Sequence, residues 1–122
     1  MKKYIKPLTM GDFLEEYMKP LHLSAYKLAN AIHVPVSRIQ DILHGRRKMS
    51  IDTSMRLGRY FGIHEVFFFR VQLELDYRKA RYEMRMELEK IKAIDKEKQK
   101  LLKGKDNIQS ELDSIIPIGN NE

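Results

Sequence analysis

A chain of 122 residues with 43% hydrophobic content has room for one small domain and an appendage. It holds no cysteine, which excludes a disulfide framework and a thiolate zinc site and suits a reducing compartment. The net charge of +6 is unevenly placed: residues 1–72 carry 12 Lys/Arg against 6 Asp/Glu, while residues 73–122 carry 11 of each, so the basic part suits a polyanion and the densely charged remainder suits a solvated helix.

Residues 1–10 read as an N-terminal arm. Met1-Lys2-Lys3-Tyr4-Ile5-Lys6-Pro7 has no apolar signal core, and no run in the chain approaches membrane-spanning length. The expected location is therefore cytoplasmic. A first helix is predicted from about Gly11 to Met18, ending before Pro20. Ser24 is a good N-cap for a second helix, since its hydroxyl can accept an unpaired first-turn N–H. On that helix Leu28 and Ile32 share one face beside Ala29 and Ala31, small residues that let a neighbouring helix approach. Val34-Pro35 ends the run, because proline disfavours helical geometry in the residue before it and suits the start of the next helix.

In the third helix Ile39, Ile42 and Leu43 recur at helical spacing and face the core. Val36, Ser37, Arg38, Gln40, Asp41 and His44 are left to look outward. Gly45 stands where a helix end needs positive φ. Arg46, Arg47 and Lys48 follow at once, positioned to reach phosphates. The fourth helix follows Ile51, with Ser50 or Asp52 as cap, Met55, Leu57, Tyr60 and Phe61 turned inward, and Gly62 as stop. The fifth starts near His64 and carries Val66, Phe67, Phe68, Val71 and Leu75. Three consecutive aromatics cannot share one side of a helix, so Phe67 and Phe68 are expected in the core and Phe69 at a partner.

From about Leu75 to Ile116 the chain reads as a continued helix. Tyr77, Ala80, Met84, Ile91, Ile94, Leu101, Ile108, Leu112 and Ile115 recur at heptad a and d positions, interrupted by Glu87, Lys98 and Lys105. A coiled coil, a hairpin returning after Gly104 and a single solvated helix all fit that pattern. The expected organisation is an arm over 1–10, a basic helical domain over 11–76, a charged helical or coiled-coil extension over 77–116 and a frayed terminus over 117–122.

Two short helices, a tight break, a glycine and three cations form the order of a helix-turn-helix, which places its second helix in the DNA major groove. The surrounding residues sharpen this. Leu14-Glu15-Glu16-Tyr17…Pro20-Leu21-His22-Leu23-Ser24, then Val34-Pro35-Val36-Ser37-Arg38-Ile39-Gln40 with Gly45, then Asp52-Thr53…Arg56-Leu57…Tyr60-Phe61-Gly62 resemble the HigA-type antitoxins. These are a branch of the Xre-like repressors that includes proteins called virulence-associated protein I. The resemblance covers about residues 8–78. The sequence departs from the family pattern at His33, which replaces a glycine, at Phe69 and Val71, and in its long tail.

The resemblance implies an all-α, five-helix lambda-repressor-like (Xre) domain with a long C-terminal helical extension. It implies a dimeric repressor of a double-stranded DNA operator, and the antitoxin of a RelE-like ribonuclease toxin. Ser37, Arg38 and Asp41 align with base-reading positions, Val36 with an apolar or backbone neighbour, and Gln40 lies adjacent. Arg38 suits guanine and Asp41 suits cytosine, or Asp41 orients Arg38. Ser24, Tyr26, Arg46, Arg47 and Lys48 are expected at phosphates, and Phe69, Tyr77, Met84, Ile91 and Ile94 at a dimer contact. A stand-alone or phage-type repressor without a toxin, or a helical protein-interaction adaptor, are the alternatives.

No enzyme chemistry is expected. His22, His33, His44 and His64 are too dispersed for a helical metal pair. Glu15 and Glu16 are adjacent and point in different directions, and no phosphate-binding glycine loop or nucleophile elbow appears. No metal or cofactor is expected.

Overall fold

The computed structural model describes residues 9–116, the side chains of Ser110 and Glu111 excepted. Most of the expected N-terminal arm and the expected frayed terminus, 117–122, lie outside the described residues. The chain divides after Met84 into two units, and the described residues of each are helical.

The described residues of the first unit form five α-helices: α1 (Met10–Met18), α2 (Ala25–Ile32), α3 (Val36–Leu43), α4 (Ile51–Phe61) and α5 (Phe67–Glu83). A 3-10 turn over Lys19–Leu21 follows α1 and absorbs Pro20 at its start. Thr9 and Met10, expected in the arm, instead begin α1. The Thr9 hydroxyl accepts from Asp12 N–H while the Asp12 carboxylate accepts from Thr9 N–H, a reciprocal capping box. Ser24 caps α2 through Lys27 N–H, and Ser50 rather than Asp52 caps α4 through Thr53 N–H.

The core joins Leu14 of α1, Leu28 and Ile32 of α2, Ile39 and Ile42 of α3, Leu57 of α4 and Phe68 of α5. Each such side chain removed from water contributes roughly 1.5–3 kcal/mol. Tyr17 forms an aromatic hub. Its ring centroid lies 5.1 Å from Phe68, 5.3 Å from Phe61 and 5.9 Å from Phe67, in tilted and edge arrangements that aromatic quadrupoles favour.

Two inward expectations on α4 fail. Met55 and Tyr60 are both 43% exposed, and Thr53, Ser54 and Gly58 are buried with Leu57. The cause is the contact with the segment leading into α5. Gly58 packs so closely on it that a Cβ there would lie 2.7 Å from Glu65 Cα. The buried Ser54 hydroxyl donates to Glu65 O at 2.7 Å and accepts from Phe69 N–H at 2.9 Å. That second bond satisfies a first-turn amide of α5 that no helix carbonyl can reach. The fifth helix therefore begins at Phe67, after a turn through His64–Val66, rather than near His64. Of its three aromatics Phe68 is fully buried, while Phe67 and Phe69 are half-buried.

The single helix expected from about Leu75 to Ile116 is not formed. After α5 ends at Glu83, the described residues of the second unit form three short helices: α6 (Arg85–Glu89), α7 (Lys96–Leu101) and α8 (Ile108–Ile115). Asp95 explains the restart, since its carboxylate caps α7 through Lys98 N–H at 2.9 Å with extended backbone at Asp95 itself. Gly104, at φ 88°, lies in the left-handed region between α7 and α8. Ile91 and Ile94 consequently lie outside any helix, and the heptad register does not run through them.

Candidate nucleic-acid interface

The helix pair α2–α3 turns on His33 and Pro35. His33 holds φ 63°, ψ 49°, the left-handed region that favours glycine. There His33 N–H donates to Asn30 O and Val34 N–H to Ala29 O, closing the end of α2. Pro35, with φ −63° and ψ 145°, is the N-cap of α3 and leaves its missing donor at a position that needs none.

The end of α3 has the same physics. Gly45 takes φ 78°, Gly45 N–H donates to Ile42 O and Arg46 N–H to Asp41 O. This Schellman closure turns Arg46, Arg47 and Lys48 out of the helix immediately after its last turn. The turn is anchored from behind. Met49 N–H donates to Gln72 Oε1 at 2.8 Å, Gln72 Nε2 donates to Asp76, and Asp76 pairs with Lys48 Nζ at 3.2 Å.

On α3, Ser37 and Gln40 are exposed and Arg38 and Asp41 are half-exposed. Val36 departs from the outward expectation, because it packs against the core cluster. Asp41 does not orient Arg38. Its carboxylate accepts from Arg46 Nε at 3.0 Å, whereas Arg38 Nη1 lies 3.4 Å from Asp52 on α4. Ser24 and Tyr26 lie on the first turn of α2, Ser24 with its oxygen bonded to Lys27 N–H and Tyr26 65% exposed. The structure thus brings Ser37, Arg38, Gln40 and Asp41 onto one short helix with Arg46, Arg47 and Lys48 at its end. Tyr77 and Met84, in contrast, belong to α5 and its C-cap, away from α3 in the chain.

Sequence reasoning missed three charged partners. Asp52 and Arg56 meet at 2.8 Å, and Arg56 Nη1 donates to Ile32 O at 2.9 Å and His33 O at 3.3 Å. Asp76 is the third. Only the i,i+4 spacing of Asp52 and Arg56 was a visible signal. Elsewhere, on α5, the Glu74 carboxylate that accepts from Arg78 raises the Arg78 guanidinium pKa. Among the described residues no three His, Asp or Glu side chains converge as a metal site, and no helix is long and apolar enough to cross a membrane.

The helix-turn-helix family profile matches residues 14–68, from within α1 to the start of α5. Virulence-associated protein I of Dichelobacter nodosus is 44% identical over 71 residues, which is 57% of this chain and 66% of that protein. The HTH-type transcriptional regulator YbaQ of Escherichia coli is 31% identical over 85 residues, 69% of this chain and 75% of the relative. The solved structure of Pseudomonas aeruginosa antitoxin HigA with the higBA promoter superposes with a TM-score of 0.67 at 27% identity, over 74% of this chain and 100% of that one. The chain belongs to the Xre-type helix-turn-helix family of DNA-binding transcriptional regulators, and within it is similar to the HigA antitoxins and virulence-associated protein I.

Proposed function

We propose that this chain is a dimeric repressor of its own operon and the antitoxin of a type II toxin–antitoxin pair. Each protomer lays α3 in a major groove, and the two protomers read successive grooves about 34 Å apart on a roughly palindromic operator. Ser37, Arg38, Gln40 and Asp41 meet base edges with Val36 beside them; Arg38 bonds guanine, and Asp41 accepts from cytosine. Arg46, Arg47 and Lys48 take phosphates after α3, and Ser24, Tyr26 and the first-turn amides of α2 take them before it. The observation that carries this reading is the junction of α3 with the Gly45 turn, which sets three consecutive cations directly beside an exposed polar helix face. The antitoxin HigA that this chain resembles was solved with a promoter, which supports operator binding.

Two copies associate in this reading through α5. Phe69, Leu73 and Tyr77 recur every four residues, with Leu73 60% and Tyr77 57% exposed, and Met84 follows at the helix end. Ile91 and Ile94 lie beyond α5 and belong to a separate contact. The toxin is a small RelE-like ribonuclease, and both proteins work in the cytoplasm; likeness to antitoxins is the support for that partner. A gel shift with the promoter of the chain's own gene, paired with co-purification of the neighbouring gene's product, tests the whole. A specific shift and a co-purifying small basic protein are expected. A specific shift with no such protein leaves a stand-alone repressor, and no specific shift removes the DNA reading.

A further inference from the structure

Arg38 projects from α3 but is held by α4. Its Nη1 lies 3.4 Å from Asp52 Oδ1, and the same oxygen accepts from Arg56 Nε at 2.8 Å. Arg56 in turn reaches back to Ile32 O and His33 O at the end of α2. An unbroken polar chain therefore runs from the helix-turn-helix bend, through Arg56 and Asp52, to the arginine proposed to read a base.

Arg56 is the fixed end of this chain, since two backbone carbonyls and a carboxylate one turn earlier define its guanidinium. Asp52 stands between two cations. Without its charge, Arg38 and Arg56 face each other with only repulsion between them, and Arg38 regains rotamers that it must give up again on DNA. The side chains are partly exposed, 31% for Arg38, 57% for Asp52 and 41% for Arg56, so these pairs add little to stability. Their effect is on direction. Arg38 spends one N–H on Asp52 and keeps the other donors of its guanidinium for a base.

We propose that Asp52 is the positioning residue of Arg38, so that this chain's base preference is set in part by a side chain on α4. The inference rests on the reading of Arg38 as a base contact. It is tested with the full chain by measuring affinity for an operator panel in which each base pair is substituted in turn, for wild type, Arg38→Ala, Asp52→Asn, Asp52→Glu and the double variant Arg38→Ala/Asp52→Asn.

Asp52→Asn is expected to reduce discrimination by about tenfold at the same base pair as Arg38→Ala, within the range of one bidentate contact. Non-specific affinity should hold or rise, because an acid has been removed beside a polyanion. Asp52→Glu should restore part of the preference. In the Arg38→Ala background Asp52→Asn should change no preference, which a merely structural role of Asp52 does not predict. Full preference in Asp52→Asn alongside abolished preference in Arg38→Ala overturns the positioning role and leaves the base reading intact. Full preference in Arg38→Ala overturns both. A uniform loss across all sequences in a folded Asp52→Asn variant also overturns the positioning role. If Asp52→Asn does not fold, Arg56→Gln decides: it removes the cation and the two-nitrogen fork that donates to Asp52 from Nε and to both carbonyls from Nη1, so an unchanged preference overturns the inference and a relaxed one at the Arg38 base pair supports it.

Discussion

Asp41 on α3 accepts a hydrogen bond from Arg46 Nε at 3.0 Å across the Gly45 turn. The only carboxylate on α3 is thus paired with the first cation of the turn that follows it. The pairing relieves the cost of presenting an acid to DNA, and it holds one of three candidate phosphate ligands close to the helix. With side-chain exposures of 31% for Asp41 and 60% for Arg46, such a pair contributes at most about 1 kcal/mol to folding.

Asp41→Asn should therefore leave stability nearly unchanged while altering DNA binding. Removing the acid frees Arg46 and lessens repulsion, so non-specific affinity should rise a few-fold at low salt and discrimination at one base pair should fall. Fluorescence anisotropy with cognate and scrambled duplexes measures both. Unaltered binding to either duplex places Asp41 off the DNA-facing side.

Arg46, Arg47 and Lys48 differ in what already holds them. Lys48 pairs with Asp76 at 3.2 Å and Arg46 with Asp41. Replacing all three by Gln should weaken specific and non-specific DNA alike. The slope of log K against log salt should flatten by roughly 0.9 for each phosphate that is no longer neutralised. Titrations at several salt concentrations give that slope. A slope equal to wild type assigns these charges to surface solvation.

His33 occupies the left-handed region at φ 63°, where a side chain with a Cβ is strained by about 1–2 kcal/mol. His33→Gly relieves that strain but gives the unfolded chain more freedom, so a net gain of about 0.5–1 kcal/mol is expected. Its backbone carbonyl, which accepts from Arg56, remains. Urea unfolding reads the change, and a loss of stability would mean that the imidazole makes a compensating contact.

Ser54→Ala should cost about 1–3 kcal/mol, because it strands Phe69 N–H and Glu65 O at a buried position. The expected signature is a lowered melting temperature with helical content retained below it. A neutral result would show that α5 can shift to satisfy both groups.

Truncation after Met84 should leave the first unit folded, since every residue of the core cluster precedes it. Tyr77→Lys in that shortened chain should disrupt self-association, and with it operator affinity at low protein concentration, because two linked half-sites gain from effective concentration. Sedimentation at matched concentrations tests this. If the truncated chain is monomeric before Tyr77 is changed, the dimer contact lies in the second unit.

What the sequence determined by itself is local. Ser24, Ser50, Pro35, Gly45 and Gly62 act within one turn of the chain, so the ends of α2, α3 and α4 were legible. The candidate DNA face was legible for the same reason, as an outward set on one short helix followed by cations. Helix rotation was not legible: Met55 and Tyr60 suit an inward face by hydrophobicity, yet Ser54 and Gly58 take it because close approach and paired polar groups decide which side of α4 meets α5. The continued helix read from Leu75 to Ile116 is instead the end of α5 and three short helices, because a heptad pattern is a weak signal without a partner, and Asp95 and Gly104, the latter already a possible break in sequence, act locally against it. Only the tertiary structure decided which charges far apart in the chain pair. Arg38 and Asp52 are 14 positions apart and Lys48 and Asp76 are 28 apart. Such partners are chosen by the packing of whole helices, whose buried faces fix where each exposed side chain can reach.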